Sequence, residues 1–288
     1  MMTLAPMGAP QGNPMIAKEI ELETLFNKNQ LHSRIRREFT DCEAFNFAEY
    51  MESKDVDPEF GFDVLVQMAL HKRADLPTMV GLTRGHFSKD AHASQLAADM
   101  LLKCAEADLM DWNPATSQFI VKFELTPEVQ RELDMYQFPL PMVTAPRTLN
   151  KNTDSPYMTL KDGSVILRRN HHDDDVCLDH INRMNGVRFA INNEVARMVR
   201  NQWRNLDKPK EGETKQDFER RKRAFEKFDR TAKQVMAQIT ELGNEFYLTH
   251  KYDKRGRTYC QGYHVSYQGA PWNKAVIELA PEEQEIIP

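Results

Sequence analysis

Between residues 214 and 242 the apolar residues fall into a seam that suits a long helix. Phe218, Phe225, Phe228, Ala232, Val235, Met236, Ile239 and Leu242 recur at steps of seven, three and four, the spacing of one helix face packed on another. Thr214 followed by Asp217 reads as the N-terminal cap. Upstream, Val187, Ile191, Val195, Val199 and Trp203 recur every four residues and predict a second helical arm. The stretch Asp207 to Glu213, with Pro209 and Gly212, reads as the turn between them. The pattern therefore predicts a long antiparallel helical hairpin over 186–245. By itself such a hairpin is equally a structural arm or a dimerisation element.

The rest of the chain is mixed, so the expected class is α+β and predominantly helical. Helical periodicity runs from Ile16 to Phe39, from Phe62 to Lys72 and from Ala91 to Leu109. Trp112-Asn113-Pro114 is a turn signal before the β-rich Phe119 to Phe123, which predicts a short hairpin at 110–123. Phe138 to Arg147 holds three prolines and must be extended. Residues 148–175 are polar and irregular, with a small hairpin expected at Asp162-Gly163. Strand-like segments follow at Phe246 to Leu248, Arg257 to Tyr267 and Ala275 to Leu279. The expected organisation is a tail at 1–15, an N-terminal domain at 16–137, an extended connection at 138–185, the hairpin at 186–245 and a β-containing region at 246–288.

Composition narrows the function classes. Cys42, Cys104, Cys177 and Cys260 show no paired spacing, which argues against a disulfide framework or a zinc site and for a reducing, cytoplasmic setting. No apolar run approaches the roughly 18 residues a membrane span requires. Residues 200–257 carry 16 Lys and Arg against 10 Asp and Glu, whereas the remainder carries 22 against 33. A basic block on an acidic chain is what local phosphate binding would produce, although a solvated helix face would look the same.

Three clusters carry candidate chemistry. His171-His172-Asp173-Asp174-Asp175, with His180 following, holds metal-ligating residue types. Consecutive side chains point in different directions, so a solvated loop is the better reading, and no metal ligands are assigned. Arg220, Arg221 and Arg223, with Arg230 further along the helix, form a solvated face or a phosphate-tracking one. Asp253-Lys254-Arg255-Gly256-Arg257 places two guanidinium forks around a glycine, which suits a backbone passing close to phosphates.

From Pro139 onward the chain resembles the single-subunit RNA polymerases of bacteriophages and mitochondria. Phe246-Tyr247 through Asp253-Lys254-Arg255-Gly256-Arg257-Thr258-Tyr259 looks like the family's Asp-x-x-Gly-Arg motif, which opens the palm of a right-hand polymerase. Gln268-Gly269, Lys274 and the apolar run to Leu279-Ala280 follow at the family's spacing. Pro141 to Pro146 is similar to the proline-rich passage entering the family's core, and Phe123 to Glu128 to the segment before it. The hairpin at 186–245 falls where the family has its thumb, and residues 246–288 where its palm begins. The region ahead of the thumb is shorter than in phage enzymes, which implies a reduced N-terminal domain. The hairpin at 110–123 is placed like the family's DNA-intercalating hairpin.

The resemblance implies nucleotidyl transfer with two Mg²⁺ ions. The metal-binding aspartates, the fingers and the specificity loop have no counterpart here, so the chain looks like the N-terminal subunit of a split, heterodimeric phage polymerase. Its implied partners are a larger subunit holding the Mg²⁺ ions, template DNA, the RNA–DNA hybrid and nucleoside triphosphates, with room for an accessory DNA-binding protein at the promoter. Its implied setting is the cytoplasm of an infected bacterium. By position, Arg255 and Arg257 would hold template or hybrid phosphates, with Gly256 between them and Asp253 orienting both. Tyr259 would pack on sugar or base and Lys274 would add a point charge. Arg220, Arg221, Arg223 and Arg230 would track phosphates from the thumb. A non-catalytic nucleic-acid-binding or assembly factor, or a fragment of a longer polymerase, would show the same residues. The apolar Ile277, Leu279, Ile286 and Ile287 are expected to need cover from a partner.

Overall fold

The computed structural model describes residues 14–26, 28–160, 162–202 and 206–284. Residues 1–13, Trp203, Ile286 and Ile287, on which some of the expectations above fall, lie outside the described residues. Helices dominate and the strands are short and mostly antiparallel, so the α+β class holds. The chain divides into two compact units, residues 27–134 and residues 14–26 with 135–284. That division differs from the expected one, because the first helix, α1 (Pro14–Phe26), belongs with the later residues.

The unit of residues 27–134 contains α2 (Lys28–Thr40), α3 (Phe47–Ser53), α4 (Pro58–His71), α5 (Leu76–Thr83), α6 (Ala93–Glu106) and most of α7 (Pro127–Tyr136). Asp57 and Asp75 begin α4 and α5 by accepting the N–H of Glu59 and Thr78. A three-stranded antiparallel sheet runs in the order β1 (Arg73–Asp75), β3 (Gln118–Ile120), β2 (Asp111–Asn113). The hairpin expected at 110–123 is therefore present, with β1 added along its edge. Ile35, Met51, Phe60, Leu65, Met79, Leu101 and Phe119 form a continuous apolar core.

The other unit contains α1, α8 (Leu178–Asn185), β4 (Arg188–Ile191), α9 (Asn193–Met198) and α10 (Lys215–Glu241), then β5 (Phe246–Tyr247), β6 (His250–Tyr252), β7 (Thr258–Cys260), α11 (Pro271–Val276) and β8 (Ile277–Leu279). The long helix is where the seam predicts it. Thr214 accepts from the Asp217 N–H at 3.1 Å and donates its hydroxyl to the Asp217 carboxylate at 2.8 Å. Ala232, Val235, Met236 and Ile239 are buried against Phe189, Phe246 and Trp272. From Lys215 to Arg230 the helix is mostly exposed.

Among the described residues the second helical arm does not form. Residues 188–191 are instead the central strand of a sheet ordered β5, β4, β8, and α9 spans only Asn193–Met198. A spacing of four fits a helix nearly and a strand fully, since four is a multiple of two. Arg188-Phe189-Ala190-Ile191 pairs antiparallel on both sides, and buried Phe189 and Ile191 settle the choice. The expected two-armed thumb is thus one long helix beside a sheet. The hairpin at Asp162-Gly163 reduces to a single bridge between Asp154 and Asp162, and the strand expected to reach Tyr267 stops at Cys260.

A tight loop after β7 fixes the sheet's neighbourhood. A Cβ on Gly262 would lie 1.9 Å from the carbonyl oxygen of Val265 and 3.3 Å from Leu248 Cδ2. Backbone cannot yield as a side-chain tip can, so Gly262→Ala is expected to destabilise this unit by on the order of 2 kcal/mol. Thermal unfolding checks it, and an unchanged midpoint would show that the loop repacks freely.

Candidate nucleic-acid interface

Strands β6 and β7 form an antiparallel ladder pairing His250 with Cys260, Lys251 with Tyr259 and Tyr252 with Thr258. The five residues Asp253 to Arg257 connect them. Asp253 N–H donates to Arg257 O at 2.9 Å, and Gly256 N–H donates to Asp253 O at 3.0 Å. Gly256 has φ +77°, and a Cβ there would meet nothing within 4 Å. Glycine is placed here by backbone conformation and not by crowding.

The Asp253 carboxylate organises the turn. Its Oδ1 accepts the N–H of Arg255 at 2.8 Å and of Arg257 at 3.0 Å. Its Oδ2 accepts Arg257 Nε at 2.7 Å, Arg257 Nη2 at 2.6 Å and the Tyr259 hydroxyl at 3.3 Å. Burial opposes the charge on Asp253. The Arg257 guanidinium and the two backbone donors outweigh it and hold the carboxyl well below its usual range. The Arg257 guanidinium also lies over the Tyr259 ring at 5.5 Å.

The two arginines are not equivalent. Arg257 is pinned by Asp253 and keeps 53% of its side chain exposed. Arg255 makes only a 3.9 Å approach to Asp253 and is 65% exposed, so it is the freer fork. Asp253, Arg255, Gly256, Arg257 and Tyr259 are thus brought together as one constellation.

Lys274 is different. It is exposed on α11, and no hydrogen bond or ion pair joins it to the turn among the described residues. Gln268, three residues ahead of that helix, is bonded to the ladder. That side chain accepts the Cys260 N–H at 2.8 Å and donates to Thr258 O at 3.2 Å.

Support for the turn comes from residues that carry no motif. His172 Nε2 donates to the Asp253 carbonyl at 2.8 Å, and Asn170 Oδ1 accepts the Lys254 N–H at 2.7 Å. The His171–Asp175 run, weighed above as a metal cluster or a solvated loop, here props the arginine turn through His172. Within the ladder, buried His250 donates from Nδ1 to Asn185 Oδ1 at 2.9 Å and accepts the Tyr267 hydroxyl at Nε2 at 2.8 Å. Burial, aided by the charge of His180, pushes the His250 pKa down to about 4. The ring therefore stays neutral at pH 7 and holds this tautomer.

On α10, Arg221 bonds Glu213 bidentately, Nε to Oε1 at 2.9 Å and Nη2 to Oε2 at 2.7 Å. Hydrogen bonds from Arg221, then from the Lys210 N–H, hold the Glu213 carboxyl down at about 2. Arg220 pairs with Asp217 at 2.5 Å. Arg221 thus braces the loop entering the helix, whereas Arg223 and Arg230 are exposed with no ion pair among the described residues. No hydrogen bond or ion pair joins Arg220, Arg223 or Arg230 to the Asp253 turn among those residues.

Among the described residues no three His, Cys, Asp or Glu side chains group to hold an ion, and Asp253 spends both oxygens on its own turn. No described helix is long and apolar enough to cross a membrane.

No protein-family model matches the chain. It is 27% identical over 165 residues to a probable DNA-directed RNA polymerase of Agaricus bitorquis, a match covering 49% of this chain and 15% of that protein. The match thus involves a small part of the fungal protein's length. This similarity supports a relationship between the chain and DNA-directed RNA polymerases.

Proposed function

We propose that this chain is part of a DNA-directed RNA polymerase and supplies the edge of its nucleic-acid cleft. The observation carrying this reading is the buried Asp253 carboxylate ordering two arginines on a glycine turn. A lone carboxylate would repel phosphate. Here its charge is consumed by Arg257 and two backbone donors, which leaves Arg255 and the outer face of Arg257 directed at solvent. Such preorganised forks grip phosphate oxygens without reading sequence, as an enzyme translocating over any template requires.

In this proposal the Asp253 turn holds template or hybrid phosphates at the beginning of the palm. The exposed Arg223 and Arg230 of α10 follow the hybrid as the thumb, and Lys274 adds charge to the same cleft. Chemistry needs paired carboxylates for Mg²⁺; in this reading they and the fingers are supplied from outside these 288 residues, by the larger subunit of a phage-type heterodimer acting in the bacterial cytoplasm or by a continuation of the same polypeptide. The test is extension of an RNA primer annealed to template DNA. The chain alone should be inactive, and equimolar addition of the aspartate-bearing polypeptide should give Mg²⁺-dependent synthesis. Extension by the purified chain alone would refute the division of labour. Stable binding of the hybrid with no effect on any polymerase would favour a non-catalytic binding factor.

A further inference from the structure

A cleft of about 430 Å³ opens beside the arginine turn, walled by His172, Val176, Cys177, His180, Tyr252 and Gly256. Its size lies within the range of small-ligand sites. Three of its six walls carry flat rings. Tyr252 is 4% exposed, and its hydroxyl donates to Cys177 O at 3.0 Å, which fixes the ring plane. His172 is fixed by its bond to the Asp253 carbonyl. The exposed His180 ring stands 6.3 Å from the Tyr252 ring at 45°. None of the lining side chains is a carboxylate, a lysine or an arginine, so the cleft favours a flat, uncharged ring over an ion.

Gly256 is at once a wall of this cleft and the centre of the turn between Arg255 and Arg257. A ligand with a heteroaromatic ring in the cleft and a phosphate one bond system away would meet both features together. The exposed Asp173, Asp174 and Asp175, which follow His172, disfavour phosphate on their side and leave the arginine side as its place.

We propose that this cleft receives one unstacked nucleobase whose attached phosphate lies on Arg255 and Arg257. The inference rests on the reading that the turn holds nucleic acid, and adds a base site to it. Every base has a π-face, so such a site stacks without selecting sequence. The base can belong to a single strand or to a free nucleotide.

Photo-crosslinking separates these cases. The full chain is irradiated with a thymidine 12-mer carrying 4-thiothymidine throughout, and separately with 4-thiouridine triphosphate, and cross-linked peptides are mapped by mass spectrometry. The expected adducts lie between His172 and His180 or at Tyr252. Adducts there from the 12-mer identify a strand base, and adducts only from the triphosphate identify a free nucleotide. In parallel, His180→Ala should weaken binding of the photoreactive ligand by about fivefold or more, leave binding of a fully abasic 12-mer unchanged, and be rescued by His180→Phe. If the 12-mer binds but its adducts fall elsewhere and His180→Ala changes nothing, the base site is wrong while the phosphate-holding turn stands. If neither probe binds, both fall.

Discussion

Asp253→Ala is expected to lower RNA synthesis by the assembled polymerase by more than about 100-fold, and Arg257→Ala by about 10- to 100-fold. The order follows from the contacts. Arg257→Ala removes one fork and the partner that neutralises Asp253. Asp253→Ala removes acceptors from two backbone N–H groups, from Arg257 and from Tyr259 at once, so the turn loses the conformation that directs both arginines. If net charge alone mattered, the result would reverse, because deleting a carboxylate beside two arginines would tighten phosphate binding. The sign of the change therefore distinguishes a preorganised site from a basic patch. Arg257→Lys should recover only part of the activity, since an ammonium cannot match the fork that spans Nε and Nη2. Primer extension supplies the rate, and hydrogen exchange at the Arg255 and Arg257 amides reports the order of the turn. Wild-type extension by Asp253→Ala would reduce the motif to a charged loop.

The ease of reading this site in the sequence varied with the separation of its parts. Asp253, Arg255, Gly256, Arg257 and Tyr259 lie within seven consecutive residues, and a turn enforces their proximity. The contacts that hold the turn in place are not legible in the sequence, although His172 itself stands in a conspicuous cluster. His172 is separated from Asp253 by 81 positions and Asn185 from His250 by 65, and neither pair has a compositional signature. A buried neutral histidine looks like any other histidine in a string of letters. Arg221 misled for the opposite reason. Its place in a basic run suggests phosphate, but Glu213, eight residues back, accepts from its Nε and Nη2.

The fold divides in the same way. Helix α10 is legible because 27 residues of consistent period outweigh local exceptions. Strand β4 is not, because over four residues a helix and a strand pattern overlap. Strand β1 is Arg-Ala-Asp, with no apolar alternation to betray it, and exists because the 110–123 hairpin offers an edge. Helix α1 was recognised as a helix, but its attachment to the later residues depends on two carboxylates that periodicity does not register.

Those carboxylates give a pH-dependent result. Glu19 is 2% exposed and accepts the N–H of Val143 at 2.6 Å and of Thr144 at 3.3 Å. Glu23, one turn later, accepts from Met158 and Thr159. Burial is the largest influence on Glu19, and with the nearby Glu23 it outweighs the backbone hydrogen bonds and raises the pKa from 4.5 to about 7. A raised folded-state pKa means that folding favours the protonated form. Its contribution is full below pH 4.5 and is lost as pH rises through 7. The shift corresponds to a ceiling of about 3 kcal/mol. The consequence reaches the ladder, because Met142, next to Val143, exchanges two backbone hydrogen bonds with Tyr247 at 2.9 and 2.7 Å, just ahead of β6. Glu19→Gln keeps an oxygen for the Val143 N–H and removes the titration. Between pH 5 and 8 the wild-type chain should lose stability relative to Glu19→Gln, with a difference of about 5–10 °C in the unfolding midpoint at pH 8. The Val143 and Thr144 amides should exchange faster in the wild type over the same range, after correction for intrinsic exchange. Parallel pH profiles for the two proteins would mean that Glu19 is ionised in its buried place and that α1 is held equally well on both sides of neutrality.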